Sequence, residues 1–383
     1  MPYLYELAVL GEPTQKQIND LEQCIWSTVE LFGMQLHREV AWEVCPAAFN
    51  PSQQSVAAAV FFGGPNAPQK ATQVNLTTLL QNNIPILPVI SDLTAVSNEI
   101  PSELQLMNCL DYNDGGAQRV ATALLECAGL LPRQRRVFVS YRRDEARQAA
   151  LQLFDKFSSR HFDVFLDTHG IAPAEDFQAM LWHRLCDSDV LVMLDTPNYF
   201  MSRWTSAEFG RAMAKGISIL RIGWPNTTPS PHTATAKGIS LQIGDFADLS
   251  TSRLTDHVLD SICLELEAVR SQSHTVRILN LVSNLRNAVQ NIGGKVVGVG
   301  INKAVYIQLA DGRDVVVYPT VGVPTSTTLH DAATNAPNQS VAVVYDSVGL
   351  HLDWLGHLDW LGKYIKEARW VKAHEAGWTF AAW

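Results

Sequence analysis

Between Arg136 and Ile222 four short apolar runs, RVFVS, DVFLD, DVLVML and ISILRI, are separated by stretches with helical spacing. Runs rich in Val, Leu, Ile and Phe, without a polar alternation, belong to strands buried on both faces. Helices between such strands require right-handed crossovers, and the product is a parallel sheet. The first intervening stretch, DEARQAALQLFDKF, carries Ala146, Ala150, Leu153, Phe154 and Phe157 near a 3.6-residue period. The second begins with the acidic AEDF and continues through Leu181 and Leu185, and the third runs from about Ser206 to Lys215 and stops at Gly216. LQI at 241–243 is expected to be a fifth strand, and Leu254 to Val269 a closing helix.

The same alternation occurs earlier in the chain, as YELAVL, an amphipathic run from Thr14 to Phe32, VAAAVFFGG and IPILPVIS. A chain of 383 residues exceeds one ordinary domain. The boundaries fall at 1–132, 133–270 and 271–383. Residues 225–238, rich in Pro, Thr and Ser, read as a surface loop. The third region opens with a helix through Leu279, Leu285 and Val289, followed by a hairpin in VYIQLADGRDVVVYP turning at Asp311-Gly312. Half of its host's ten tryptophans lie there, at 354, 360, 370, 378 and 383, and HLDWLG occurs twice in tandem at 351–356 and 357–362. Ile365, Ala368, Trp370 and Ala373 are expected on the apolar side of one helix packed on the hairpin sheet, giving a smaller α+β domain for sensing or oligomerisation.

A hydrophobic share of 47% against 17% charged excludes extended disorder, and a net charge of −9 argues against general nucleic-acid binding. The six cysteines have neither close pairs nor zinc-site spacing, so they read as reduced core residues, with no metal expected. No stretch reads as a signal peptide or membrane span, and a cytoplasmic protein is the expectation.

Ligands of an open parallel sheet settle beyond the carboxyl ends of its strands. Polar residues stand there: Ser140-Tyr141-Arg142-Arg143, Asp167-Thr168-His169-Gly170, and Asp195-Thr196-Pro197-Asn198-Tyr199. Taken singly, each reads as a cap or a solvated loop residue. Taken together, FVSYRRDE, LDTHGIAPAED, SDVLVMLDTPNYFMSRW and the spacing Trp204-x-x-x-Glu208 resemble a Toll/interleukin-receptor (TIR) domain of the bacterial NAD-cleaving type. The resemblance implies a flavodoxin-like fold over 133–270 and assigns the catalytic carboxylate to Glu208. It implies that Trp204 shapes the pocket and that Ser140, Tyr141, Arg142 and Asp167 lie near the dinucleotide. It also implies self-assembly, even filaments, through the loop Asp167–Asp176 with Gly170, Ile171 and Pro173. Thr196 and Thr205 stand where the family often has Ser and Cys.

The chemistry suits a lone carboxylate. Breaking the bond to a cationic nicotinamide builds positive charge on the ribose, and nicotinamide departs neutral, so no general acid is required. NAD+ enters as substrate, with no cofactor. Without the resemblance, Glu208 reads as a solvated first-turn glutamate favoured by the helix dipole. Three functions remain open: an NAD+ glycohydrolase or cyclase acting as an anti-phage effector, switched on by an unidentified ligand or partner; a non-enzymatic scaffold; and a nucleoside hydrolase or deoxyribosyltransferase-like enzyme. Aligning Ile84–Leu87 with Ile217–Leu220 sets Asn75 opposite Glu208 and Ala71 opposite Trp204. Residues 1–132 therefore read as a degenerate TIR-like or flavodoxin-like module that lacks the carboxylate.

Overall fold

The computed structural model describes residues 3–52, 55–67, 69–70, 74–166, 177–225, 227–234 and 236–383. They form two compact units, Met1–Arg133 and Gln134–Trp383.

In the first unit, β1 (Tyr5–Gly11), β2 (Val40–Val44), β3 (Val56–Phe62), β4 (Ile86–Ile90) and β5 (Leu110–Asp111) form a parallel sheet in the order β2-β1-β3-β4-β5. α1 (Gln15–Leu31) starts where Thr14 and Gln17 make a reciprocal capping box. α1 and α3 (Gly116–Cys127) cover one face of the sheet through Leu21, Ile25, Val120 and Leu124. The other face carries α2 (Leu76–Gln81), through Leu76 and Leu79.

The second unit begins with the sheet foreseen between Arg136 and Ile222. β6 (Arg136–Ser140), β7 (Asp163–Leu166), β8 (Val190–Asp195), β9 (Ser218–Gly223) and β10 (Lys237–Ser240) are all parallel, in the order β10-β9-β8-β6-β7. This is the flavodoxin-like order, and the first sheet has it too. α4 (Arg143–Ser159), α5 (Phe177–Asp187) and α6 (Arg203–Ala214) connect the strands. Side chains alternate between the faces. Val137 and Val139 meet Ala146 and Leu153, whereas Phe138 meets Leu181, Phe209 and Ala212. Ser140, two residues after Phe138, is thereby aimed at the face of α5 and α6.

Three expectations required correction. The fifth strand lies at Lys237–Ser240, within and just after the expected loop, instead of at 241–243. It is an edge strand whose exposure leaves only Ile239 packed inward, so it has no apolar run to betray it. The two helices placed at 254–269 and from 271 are one, α7 (Asp256–Asn291), and the boundary at 270/271 falls inside it. Its early residues Leu259, Ile262 and Leu266 close the second sheet, and its late residues Leu285 and Val289 close a third. Finally, Arg369–Lys372 is a strand and not part of a helix. Ala368 and Trp370 pack on one face of the third sheet and Val371 on the other, an alternation that outweighs the weak helical spacing.

A short antiparallel pair, β11 (Phe246–Asp248) and β12 (Arg253–Leu254), precedes α7, and the third sheet has the order β13-β14-β15-β16-β17, from β13 (Lys295–Val299), β14 (Val305–Gln308), β15 (Asp314–Thr320), β16 (Val341–Tyr345) and β17 (Arg369–Lys372). β14 and β15 make the expected hairpin, with Gly312 at φ +88° in its turn. From β15 onward the strands are parallel, linked by α8 (Ser326–Asn335) and α9 (Leu352–Tyr364), and α10 (Ala376–Ala381) ends the chain's regular structure. All six cysteines are free thiols, but only Cys186 and Cys263 are buried, and Cys45 is exposed. Among the described residues, no helix is long and apolar enough to cross a membrane.

Candidate active site

The second sheet delivers Ser140 at the carboxyl end of β6, and α6 delivers Glu208 to meet it. Ser140 is 1% exposed and Glu208 5%. The Ser140 hydroxyl donates to Glu208 Oε2 at 2.5 Å and stands 2.6 Å from the Tyr199 hydroxyl. One proton per hydroxyl gives a consistent direction, in which Tyr199 donates to Ser140 and Ser140 to the carboxylate. Burial, with the Glu208 charge adding to it, pushes the Tyr199 phenol well above its ordinary pKa, so it remains a donor at working pH. The Thr205 hydroxyl donates to the Tyr199 carbonyl and fixes the segment before α6.

Glu208 opens on a cavity of about 480 Å3. Tyr141, Arg142 and Trp204 share that cavity with it, and Ser140 meets Glu208 without lining the cavity. Trp204 is one turn before Glu208 on α6, 40% exposed, with the Arg203 guanidinium 4.6 Å from its ring centre. Met201, 80% exposed, extends the apolar rim. Tyr141 is buried, and Arg142 stands at the start of α4, where its guanidinium donates to the Asn198 carbonyl at 3.0 Å. Asp167, Gly170, Ile171 and Pro173 lie outside the described residues.

Arg142 is held by a second-layer carboxylate. Burial works against the charge of Glu145, but hydrogen bonds from the Asn198 backbone and side chain, with Arg142 beside it, hold its carboxyl below the usual range. Deeper in the same sheet, Asp195 and Arg221 form a buried ion pair. Burial raises the Asp195 carboxyl, and the guanidinium of Arg221 offsets part of that rise.

Tyr199 and Arg221 were absent from the expected site. Each left a trace in the sequence: Tyr199 belongs to the polar segment beyond a strand, and Arg221 is a charge inside the apolar run ISILRI. In the first unit, Asn75 has φ +55° and stands before α2, whereas Glu208 is well inside α6. The two aligned positions therefore differ in backbone as well as in side chain.

Residues 137–254 match the family described as TIR domain. The match starts in β6 and ends just before α7, and it contains Ser140, Tyr199, Trp204 and Glu208. No curated protein matches the chain.

Proposed function

We propose that the TIR domain cleaves NAD+ at the bond between nicotinamide and ribose, with Glu208 as the catalytic carboxylate. The observation that carries this reading is a nearly buried carboxylate, oriented by Ser140, that forms one wall of a cavity bearing Arg142, Arg143 and Trp204. The guanidinium groups suit the pyrophosphate, and the indole suits a flat ring. As the C–N bond breaks, its electron pair passes to the nicotinamide nitrogen and cancels the positive charge there. The ribose carbon becomes an oxocarbenium centre, which Glu208 stabilises at close range in a site of low dielectric. Water adds to that carbon and loses a proton, giving ADP-ribose. The protein is on this reading an effector whose output is the loss of NAD+, as in anti-phage defence.

Glu208→Gln is the direct test, because glutamine still accepts the Ser140 hydrogen bond while lacking the charge. Nicotinamide release should fall by more than about a hundredfold, a loss of ~2.7 kcal/mol of transition-state stabilisation, with an unchanged thermal midpoint. Turnover within tenfold of wild type would favour the scaffold, a reading supported by the Ser140–Glu208 bond itself, which also ties α6 to β6. Release from NAD+ but not from nucleosides or deoxynucleosides separates this activity from a nucleoside hydrolase or deoxyribosyltransferase. We also propose that turnover requires self-association through the 167–176 loop. Specific activity should rise with protein concentration, and Ile171→Asp should abolish both the rise and the large species in light scattering; full activity from a monomer refutes it.

A further inference from the structure

The third sheet has carboxyl ends of its own. β15, β16 and β17 run parallel, and just beyond them Gly322, Asp346 and His374 line a cavity of about 520 Å3. The position is where an open parallel sheet binds ligands, and the volume is that of a small-molecule site. The loop after β15 is held in place, since the Val323 backbone N–H donates to Asp187 Oδ1 at 2.9 Å.

The opposite wall is α7 and the end of α6, and it sets the chemistry. Arg277 is half-buried, and its guanidinium donates to two peptide carbonyls, Ser188 at 2.9 Å and Cys186 at 3.2 Å. Among the described residues it has no carboxylate partner. The neighbouring acids are engaged elsewhere: Asp189 with Arg270, Asp187 with Arg136, and Asp346 with Lys215. The guanidinium thus feels Asp189, Asp346 and Asp187 only through space and has no carboxylate in hydrogen-bond contact at the wall of the cavity. Lys215 adds a second positive group and Asp346 the one carboxylate among the lining residues, so the cavity carries a net positive charge. Asn280 and Asn284, one turn apart on α7, supply amide donors and acceptors for hydroxyl groups.

We infer that this cavity binds a phosphate ester of about nucleoside-monophosphate size, with the phosphate on Arg277 and hydroxyls on Asn280, Asn284 and Asp346. The assignment is independent of the proposed NAD+ cleavage, because its readout is binding. The full chain is titrated by calorimetry at low salt with AMP, with ribose 5-phosphate and with adenosine. At least one of the two esters binds, and adenosine, lacking the phosphate, gives no heat. Arg277→Gln removes the binding. Should that variant fail to fold, exposed Asn284 decides, because Asn284→Asp weakens the ester about tenfold and Asn284→Lys tightens it, in the order of charge. The proposal is overturned if neither ester binds the wild type with Kd below about 1 mM, if adenosine binds as well as AMP, or if both Asn284 variants bind like the wild type.

Discussion

Ser140→Ala probes the hydroxyl chain that orients the candidate catalytic carboxylate. The substitution fills nearly the same space and deletes two contacts, the 2.5 Å bond to Glu208 and the 2.6 Å bond with Tyr199. A hydrogen bond to a charged group contributes about 1.5–3 kcal/mol, and a neutral one about 0.5–1.5 kcal/mol. Tyr199 keeps a partner, because the Thr205 carbonyl lies 3.4 Å from its hydroxyl, so its share belongs at the low end. A net loss of about 2–3 kcal/mol is expected. For a unit of the size of Gln134–Trp383 this lowers the thermal midpoint by roughly 4–12 °C.

The same substitution should reduce kcat for nicotinamide release by about ten- to a hundredfold, because a carboxylate that has lost the Ser140 bond is less well oriented in every turnover. KM should change little, since Ser140 is 1% exposed and does not line the cavity. Combining Ser140→Ala with Tyr199→Phe closes a double-mutant cycle. If Tyr199 acts on Glu208 through Ser140, the stability losses fall short of additivity by about 1 kcal/mol. Losses that add within about 0.3 kcal/mol, or a Ser140→Ala variant as stable and active as wild type, refute the hydroxyl chain as the orienting device.

Two further outcomes test the packing around the site. Burial, helped by the charges of Arg184, His351 and Arg136, pushes His183 down to about 4, and its Nδ1 accepts from the His351 N–H at 3.2 Å. The unfolded chain therefore binds the extra proton first, and stability should fall as pH drops from about 6.5 toward 4; His183→Asn should flatten that part of the midpoint-versus-pH curve, and an unchanged slope contradicts the assignment. Arg270→Ala leaves the buried Asp189 carboxylate with the Arg136 N–H but without its ion-pair partner, and frees the Gln134 carbonyl, so urea unfolding should show a loss of about 3–5 kcal/mol, partly recovered when Asp189→Ala is added.

What the sequence disclosed was governed by burial on two sides. β6, β8 and β9 are covered on both faces, so their residues form the continuous apolar runs that announce a parallel sheet. β10 and β17 lie at sheet edges and show only one or two inward residues, which no period can register. At the site, Ser140 was legible because it ends a strand, whereas Glu208 was legible only through the family resemblance carried by Trp204-x-x-x-Glu208, since alone it reads as a solvated first-turn glutamate. Tyr199 was not singled out, because its contact with Ser140 depends on how the loop after β8 folds back over the sheet. The unity of α7 was hidden for a different reason. Its middle carries Glu267, Arg270, Ser271, Ser273, His274 and Thr275, a polar stretch that reads as a break between two amphipathic helices.

Those polar residues are buried because α7 crosses the second sheet at the beginnings of its strands, where backbone groups lack ladder partners. The Ser218 N–H donates to Ser273 Oγ, the Ser273 hydroxyl donates to the Asp189 carbonyl, and Arg270 meets Asp189 Oδ2 at 3.1 Å. Arg135, just before β6, pairs with Glu267 at 2.6 Å. An apolar stretch would have left these groups buried and unsatisfied, at about 1–3 kcal/mol each. The polar interval that looks like a linker is thus tied to the strands by hydrogen bonds and ion pairs. With one apolar half closing the second sheet and the other closing the third, neither sheet has a complete core without this helix. The TIR domain and the C-terminal sheet consequently form one compact unit, in which the sheet carrying Ser140 and the cavity carrying Arg277 are built on a single helix.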